Sequence, residues 1–337
     1  MYLESFGLKE NPFTLVTDPR FMYYSESHCD AMAHLLYGVR ERKGIMMMLG
    51  EAGTGKTTLV KATLDMLRST RVVSSVILNP ILSATEDFFE LILRGFGLDG
   101  FKRNNVEMSD MLQRFLLQQS RRRRIPVIVV DEAQELAKPF LEQLRLLSNY
   151  EDQGQKLLQV ILSGQPEMAE KIEAHEFRAL RQRIVVRCRL HPLSAQETWI
   201  YIHSRLERAG YNKQDLFRPD AVELIFAYSG GTPRVINSIA DNCLLAAFAR
   251  SASQVDINIV EKVARHLELK ENPAVMNQVE NIHRDVMRAT ASWKEISKDI
   301  RAGAVPEALK RFVEKLQQPD DSWKGEKVYT TAIERGE

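Results

Sequence analysis

A parallel α/β sheet covered by helices on both faces, followed by a small all-helical domain, is the fold class the sequence predicts, and three observations carry it. Between residues 45 and 190, short β-branched or apolar runs alternate with amphipathic helical patterns, as strand–helix–strand units require. A glycine-rich stretch, GEAGTGKTT at 50–58, falls between the first of these runs and a helical pattern. From 194 to 268 the helical period continues without strands, punctuated by Gly and Pro.

Taken in order, IMMML (45–49), VVSSVIL (72–78), IPVIVV (125–130), LLQVILSG (157–164) and IVVRCRL (184–190) have the length and composition of buried strands. The helices between them carry start signals: Ser83 or Thr85 before EDFFELILRGFGL, Ser109 before DMLQRFLLQQS, and Pro166 in the first turn of PEMAEKIEAH. Apolar stripes at helical spacing then run through SAQETWIYIHSRLERAG, PDAVELIFAYSG, TPRVINSIADNCLLAAFAR and DINIVEKVARHL. After KENP (270–273) the composition becomes more polar, with one further amphipathic pattern at 305–318 and a frayed end expected from Pro319. The chain therefore divides into an N-terminal segment (1–44), an α/β core (45–190), a helical domain (191–268) and an extension (269–337), helical and then flexible.

Composition excludes several classes. With 337 residues and 44% hydrophobic content, a sizeable core is expected, and 46 Lys plus Arg against 45 Asp plus Glu leave no general field for nucleic acid or anionic membrane. Cys29, Cys188 and Cys243 fit neither a disulfide framework nor a metal knuckle, which suits a reducing compartment. No signal sequence or apolar run long enough to span a membrane is visible, so a cytoplasmic protein without direct membrane insertion is expected, peripheral to the inner membrane only through a partner.

Gly50 to Thr57 matches G-x-x-x-x-G-K-[ST] with a strand before it and a helix after it, the context a phosphate-binding loop requires. Backbone N–H groups of Gly50, Glu51, Ala52, Gly53, Thr54, Gly55 and Thr58 are expected to turn around the phosphates of ATP, with Lys56 neutralising the β- and γ-phosphates and Thr57 on Mg²⁺. A tight turn with a chance lysine is the competing reading. IPVIVVDEAQ then runs apolar strand residues into Asp131 and Glu132. An acid at the end of a strand neighbouring the phosphate-loop strand suits Mg²⁺, and Glu132, on the opposite side of that strand, suits a base for the attacking water. This pairing points to a P-loop NTPase that hydrolyses rather than transfers.

Motifs outside the loop extend the reading. The opening FGLKENPFTLVTDPRFMYYSESHCDAMAHLLYGVRERKG, then GEAGTGKTT, VVDEAQ, LSGQPEM, LRQRI, HPLSAQET, YIHSRLERAG and GGTPRVIN together resemble the AAA+ ATPases of the ExeA type, over nearly the whole chain to about residue 268. The group includes general secretion pathway ATPases and is similar to transposon target-selection ATPases. The resemblance implies an ATPase core with a helical lid. It implies Gln165 as a polar sensor at the γ-phosphate, with Ser163 as competitor, and Arg234 as a lid arginine acting in cis. It implies Arg183 as an arginine finger presented to a neighbouring subunit, with Arg181 and Arg178 as alternatives, and Phe6, Pro12 and Phe13 near the adenine pocket, although ordinary packing explains these three as well. The implied work is done by a homo-oligomer, ring or filament, on a protein partner of an export system. The alternative is a DNA-binding ATPase of a mobile element.

Other conspicuous residues have plainer explanations. RRRR at 121–124 ends a helix, where cations are favoured, and MMM at 46–48 reads as strand core. Arg178, Arg181, Arg183, Arg187 and Arg189 form a denser band that would suit phosphate contacts, without aromatic interleaving. His28, His34 and His203 lack metal-ligand spacing.

Overall fold

The structure, a computed structural model, describes residues 2–301 except 17, 69–70, 81–83, 100–103, 214–215 and 271–278, and in addition Leu309. Its strands are β1 (Ile45–Gly50), β2 (Val72–Ile77), β3 (Ile125–Val130), β4 (Glu151–Asp152), β5 (Gln155–Lys156), β6 (Gln159–Gly164) and β7 (Ile184–Leu190). β4 and β5 form a short antiparallel ribbon, and the other five make a parallel sheet in the order β2-β3-β6-β1-β7. Alternation divides the central strands between two cores. Ile45, Met47 and Leu49 join Phe88, Leu112 and Leu144 on one face, while Met46 and Met48 join Leu35, Leu36 and Leu59 on the other. Each fully buried side chain of this size contributes about 1.5–3 kcal/mol, which makes the central strands the rigid part of the molecule.

β3 is not the neighbour of β1, contrary to the sequence expectation: β6 lies between them, pairing Leu162 with Met47 on one side and Val130 on the other. All three strands are apolar on both faces, so composition does not distinguish which is central. Two helix starts also differ. The helix Thr85–Gly95 has Ala84 at its cap, whose N–H donates to Asp87 Oδ2 at 3.2 Å, so Thr85 is its first residue; Ser83 lies outside the described residues. The helix Asn105–Arg121 starts at Asn104, because Asn104 Oδ1 accepts from Glu107 N at 3.0 Å and Glu107 Oε2 accepts from Asn104 N at 3.2 Å. That reciprocal pair satisfies two otherwise orphaned donors, leaving Ser109 inside the helix against the Tyr150 hydroxyl at 2.9 Å.

The helices Ala195–Arg208, Pro219–Ser229, Pro233–Ala249 and Ile257–His266 follow the predicted stripes and share one core. Phe6, Pro12 and Phe13 of the N-terminal segment pack toward that core, while Thr14 to Val16, Phe21 and Tyr23 of the same segment line the cleft beside Gly53 to Thr58. Phe13 meets Phe217 edge-on at 5.8 Å, Phe6 lies against the same cluster, and the Pro12 carbonyl accepts from Arg205 Nε. Of the two readings the sequence left open for these residues, packing is the one their contacts support, and none of the three lines the cleft itself. The helix Val279–Arg301 was hidden by its polar average. Its stripe, Ile282, Val286, Ala289 and Trp293, has helical spacing and packs on Ala195–Arg208 and Pro219–Ser229. The 305–318 pattern lies outside the described residues apart from Leu309, which is helical and buried.

Candidate active site

Gly50 ends β1, and the loop after it turns into the helix Lys56–Arg68. Gly53 and Gly55 have φ of 82° and 99°. A Cβ on Gly53 would stand 2.7 Å from Arg234 Cβ, and one on Gly55 would stand 3.0 Å from His28 Nε2, so both conformation and space require glycine. Lys56 is 5% exposed, and its Nζ donates to the carbonyls of Gly50 at 2.8 Å and Glu51 at 3.1 Å, with no ion pair among the described residues. Burial lowers its pKa, opposed by the charges of Glu132, Asp131 and Glu51. A buried ammonium held only by neutral carbonyls at a helix N-terminus fits an anionic ligand. Gly53 to Thr58, Glu132 and Arg234 line a cleft of ≈ 350 Å³; Glu51 and Ala52 are exposed outside it.

Asp131 follows β3 and is buried, accepting from Thr57 Oγ1 at 2.5 Å and Ser163 Oγ at 2.7 Å. The Thr57 hydroxyl and the Asp131 carboxylate are a hard oxygen pair of the kind Mg²⁺ takes alongside phosphate oxygens. Ser163 is thereby committed to Asp131. Glu132 lies past the end of β3 with φ 49° and ψ 43°, so a left-handed turn, not strand alternation, sets its direction. Its Oε2 accepts from Gln134 Nε2 at 2.7 Å and Gln165 Nε2 at 3.3 Å, and Gln165 N donates to Gln134 Oε1 at 3.1 Å. Burial pushes the Glu132 carboxyl up, but the two amide donors and the Lys56 charge together hold it below its ordinary value. It is an ionised carboxylate at the cleft, able to accept a proton from water. Gln134 had no role assigned from the sequence, although its position in DEAQ was the available signal.

The arginines separate by position. Arg234 opens the lid helix with its N–H 3.3 Å from the Gly53 carbonyl and its side chain exposed at the cleft. Arg183 precedes β7 and is exposed, without a side-chain hydrogen bond or ion pair among the described residues; Arg178 is similar, whereas Arg181 is held by Glu173. β7 runs parallel to β1, so Arg183 stands at the opposite end of the sheet from the phosphate loop, about 20 Å away by strand rise, and cannot serve the cleft of its own chain.

His28, passed over in the sequence, supports the loop directly. It lies in the first turn of the helix Glu26–Arg40, buried, with Nε2 3.0 Å from the Thr54 carbonyl and Nδ1 2.5 Å from Ser25 Oγ. Burial holds its pKa below the ordinary value. The neutral tautomer that satisfies both partners carries its proton on Nε2, donates to Thr54 O and accepts from the Ser25 hydroxyl. The cysteines are inert by the same physics: burial pushes Cys29 up to about 11 and Cys188 to about 12.

This combination of sheet order, phosphate loop and strand-end acid defines a nucleotide-binding α/β protein of the AAA+ fold, and residues 39–172 match the family model described as AAA domain. The chain resembles general secretion pathway protein A. It is 41% identical over 256 residues to General secretion pathway protein A of Aeromonas hydrophila, a match covering 76% of this chain and 46% of that protein, so the chain spans under half the length of this curated relative. Solved structures agree on the fold. The Aeropyrum pernix ORC2 protein in ADPNP–ADP complexes superposes with a TM-score of 0.61 at 16% identity, over 77% of this chain and 71% of that one. Cdc6p from Pyrobaculum aerophilum gives 0.60 at 15% identity, over 90% and 98%. Among the described residues no helix is long and apolar enough to cross a membrane.

Proposed function

We propose that the protein is an oligomeric ATPase that binds ATP with Mg²⁺, hydrolyses it, and uses the cycle to assemble or remodel a protein complex of a bacterial export system. The observation that carries the chemistry is one cleft lined by buried Lys56, by Thr57, which is hydrogen-bonded to Asp131, and by ionised Glu132. Held by Thr57 and Asp131, Mg²⁺ would supply charge neutralisation to the phosphates. Lys56 binds the phosphate chain, Thr57 and Asp131 hold the metal, Gln165 and Gln134 fix the Glu132 carboxylate, and Glu132 takes the proton of the attacking water. The export assignment is supported by the similarity to General secretion pathway protein A.

Phosphate release from ATP, measured with Mg²⁺ and with chelator, tests the activity: metal-dependent turnover is expected, and none at any protein concentration would sink it. The exposed cations Arg178, Arg183, Arg187 and Arg189 favour one second reading, an ATP-dependent DNA-binding ATPase. Titrating duplex DNA with and without a nonhydrolysable ATP analogue separates the two. No binding is expected, whereas salt-sensitive binding that requires the analogue would replace the export reading.

A further inference from the structure

Arg205 is a buried cation that the phosphate and acid machinery leaves unused. It lies on the helix Ala195–Arg208, is 7% exposed, and lines the same cleft as Gly53 to Thr58. Withdrawing a guanidinium from water is costly unless acceptors or an anion receive it, yet among the described residues it has no ion pair. Nε donates to the Pro12 carbonyl, and Nη1 donates at 3.0 Å to the Tyr201 hydroxyl, which donates in turn to Asn237 Oδ1 at 2.8 Å. The rings of Phe21 and Tyr201 lie 4.9 and 5.4 Å from Cζ and supply only π faces. Nη2 has no hydrogen-bond acceptor among the described residues, so its donors are available to whatever enters the cleft.

Its place in the cleft follows from the row it belongs to. Arg234 begins the row at the Gly53 carbonyl, and Asn237 stands about one helical turn, roughly 5 Å, further along the same helix. Tyr201 bonds Asn237, and Arg205 bonds Tyr201. The row therefore links the phosphate loop, through Arg234, Asn237 and Tyr201, to Arg205. There Phe21 lies 4.9 Å from the guanidinium and Tyr23 packs edge-on against Tyr201 at 6.2 Å, all on the lining of one cleft. A molecule with its phosphates on Gly53 to Thr58 would have this row of the same cleft open to its nucleoside.

We propose that Arg205 is a nucleoside-binding residue, whose Nη2 donates to an uncharged acceptor of the nucleoside, a purine ring nitrogen or a ribose oxygen. The proposal rests on the reading that this cleft holds ATP. Phe21 and Tyr201 pack their rings near the planar guanidinium, and the Pro12 and Tyr201 oxygens fix its rotation. Because it acts on the nucleoside and not on the phosphates, its loss separates two ligands that share a triphosphate.

Calorimetric titration of the full chain with ATP and with inorganic tripolyphosphate tests this, using Arg205→Met, which keeps the apolar stem, and Arg205→Lys, which keeps the charge. Loss of a charged hydrogen bond predicts about ten- to a hundredfold weaker ATP binding in Arg205→Met, with tripolyphosphate affinity within about twofold of the parent. Should Arg205→Met fail to fold, Arg205→Lys carries the test, with ATP binding weakened about tenfold and tripolyphosphate unchanged. Unchanged ATP affinity in a folded variant would overturn the proposal, as would equal weakening for both ligands, which would mark Arg205 as a support of the Pro12 segment only. A parent protein that binds neither ligand would instead sink the nucleotide-cleft reading itself.

Discussion

Glu132 and His28 act on the same cleft by opposite electrostatic means. Glu132 is kept charged by two amide donors and the Lys56 ammonium, so a substitution that keeps its shape but not its basicity isolates the proton transfer. Glu132→Gln is expected to bind ATP with near-parental affinity while turnover falls at least about a hundredfold; parental turnover would show that another group is the base. Lys56→Ala is expected to abolish ATP binding, since no other buried cation lies on the loop. His28 is kept neutral by burial and holds the Thr54 carbonyl. His28→Ala leaves that buried carbonyl unpaired, worth about 1–3 kcal/mol, and should raise KM for ATP about tenfold or more with little change in kcat. A loss confined to kcat would place His28 in the chemistry rather than in the shape of the loop.

Among the elements, the lid contains a pH-sensitive joint. His203 stacks on Trp199 at 3.6 Å, with Trp293 of the helix Val279–Arg301 edge-on at 5.5 Å, and its Nδ1 is 2.9 Å from the Trp199 carbonyl. Burial lowers its pKa from 6.5 to about 4. The unfolded chain therefore binds this proton more readily than the folded lid does between those values. The contribution is fully present above pH 6.5 and is lost as pH falls toward 4, amounting to on the order of 2 kcal/mol at pH 5. Urea unfolding followed by tryptophan fluorescence should show that loss between pH 7 and 5, and His203→Phe, which keeps the stack, should remove most of it. An unaltered pH dependence in the variant would assign the effect elsewhere. The adjoining glycine turn is equally local: at Gly231, φ 76°, a Cβ would stand 1.8 Å from the Leu193 carbonyl, so the junction between sheet and lid admits no larger residue.

At the scale of the whole molecule, one chain holds an intact phosphate loop and acid pair, while Arg183 stands at the far end of the sheet, exposed and without a side-chain hydrogen bond or ion pair among the described residues. If Arg183 acts as a finger, from that position it completes a site only across a subunit boundary. Lys56→Ala and Arg183→Ala are each expected to be nearly inactive alone. Mixed, some boundaries pair the intact nucleotide site of one with the intact arginine of the other, so activity should partly return, and more steeply as protein concentration rises. Co-assembled mutants without recovery at any ratio would transfer the role to Arg178, because Arg181 is engaged by Glu173.

The sequence by itself determined the five sheet strands, the lid helices, the phosphate loop and the acids that follow β3, because each depends on local periodicity or on a spacing bridged by one turn of backbone. Lys56, Thr57 and Asp131 were legible for that reason. Tertiary structure alone decided that β6 separates β3 from β1, since strands apolar on both faces are interchangeable in composition. It alone placed Phe13 in the lid, turned Glu132 toward Gln134 and Gln165, and brought His28 and Arg205 to the cleft from helices distant in sequence. His28 and Arg205 take their places from contacts 26 and 193 residues away along the chain, and no pattern within a single element encodes a partner that far away.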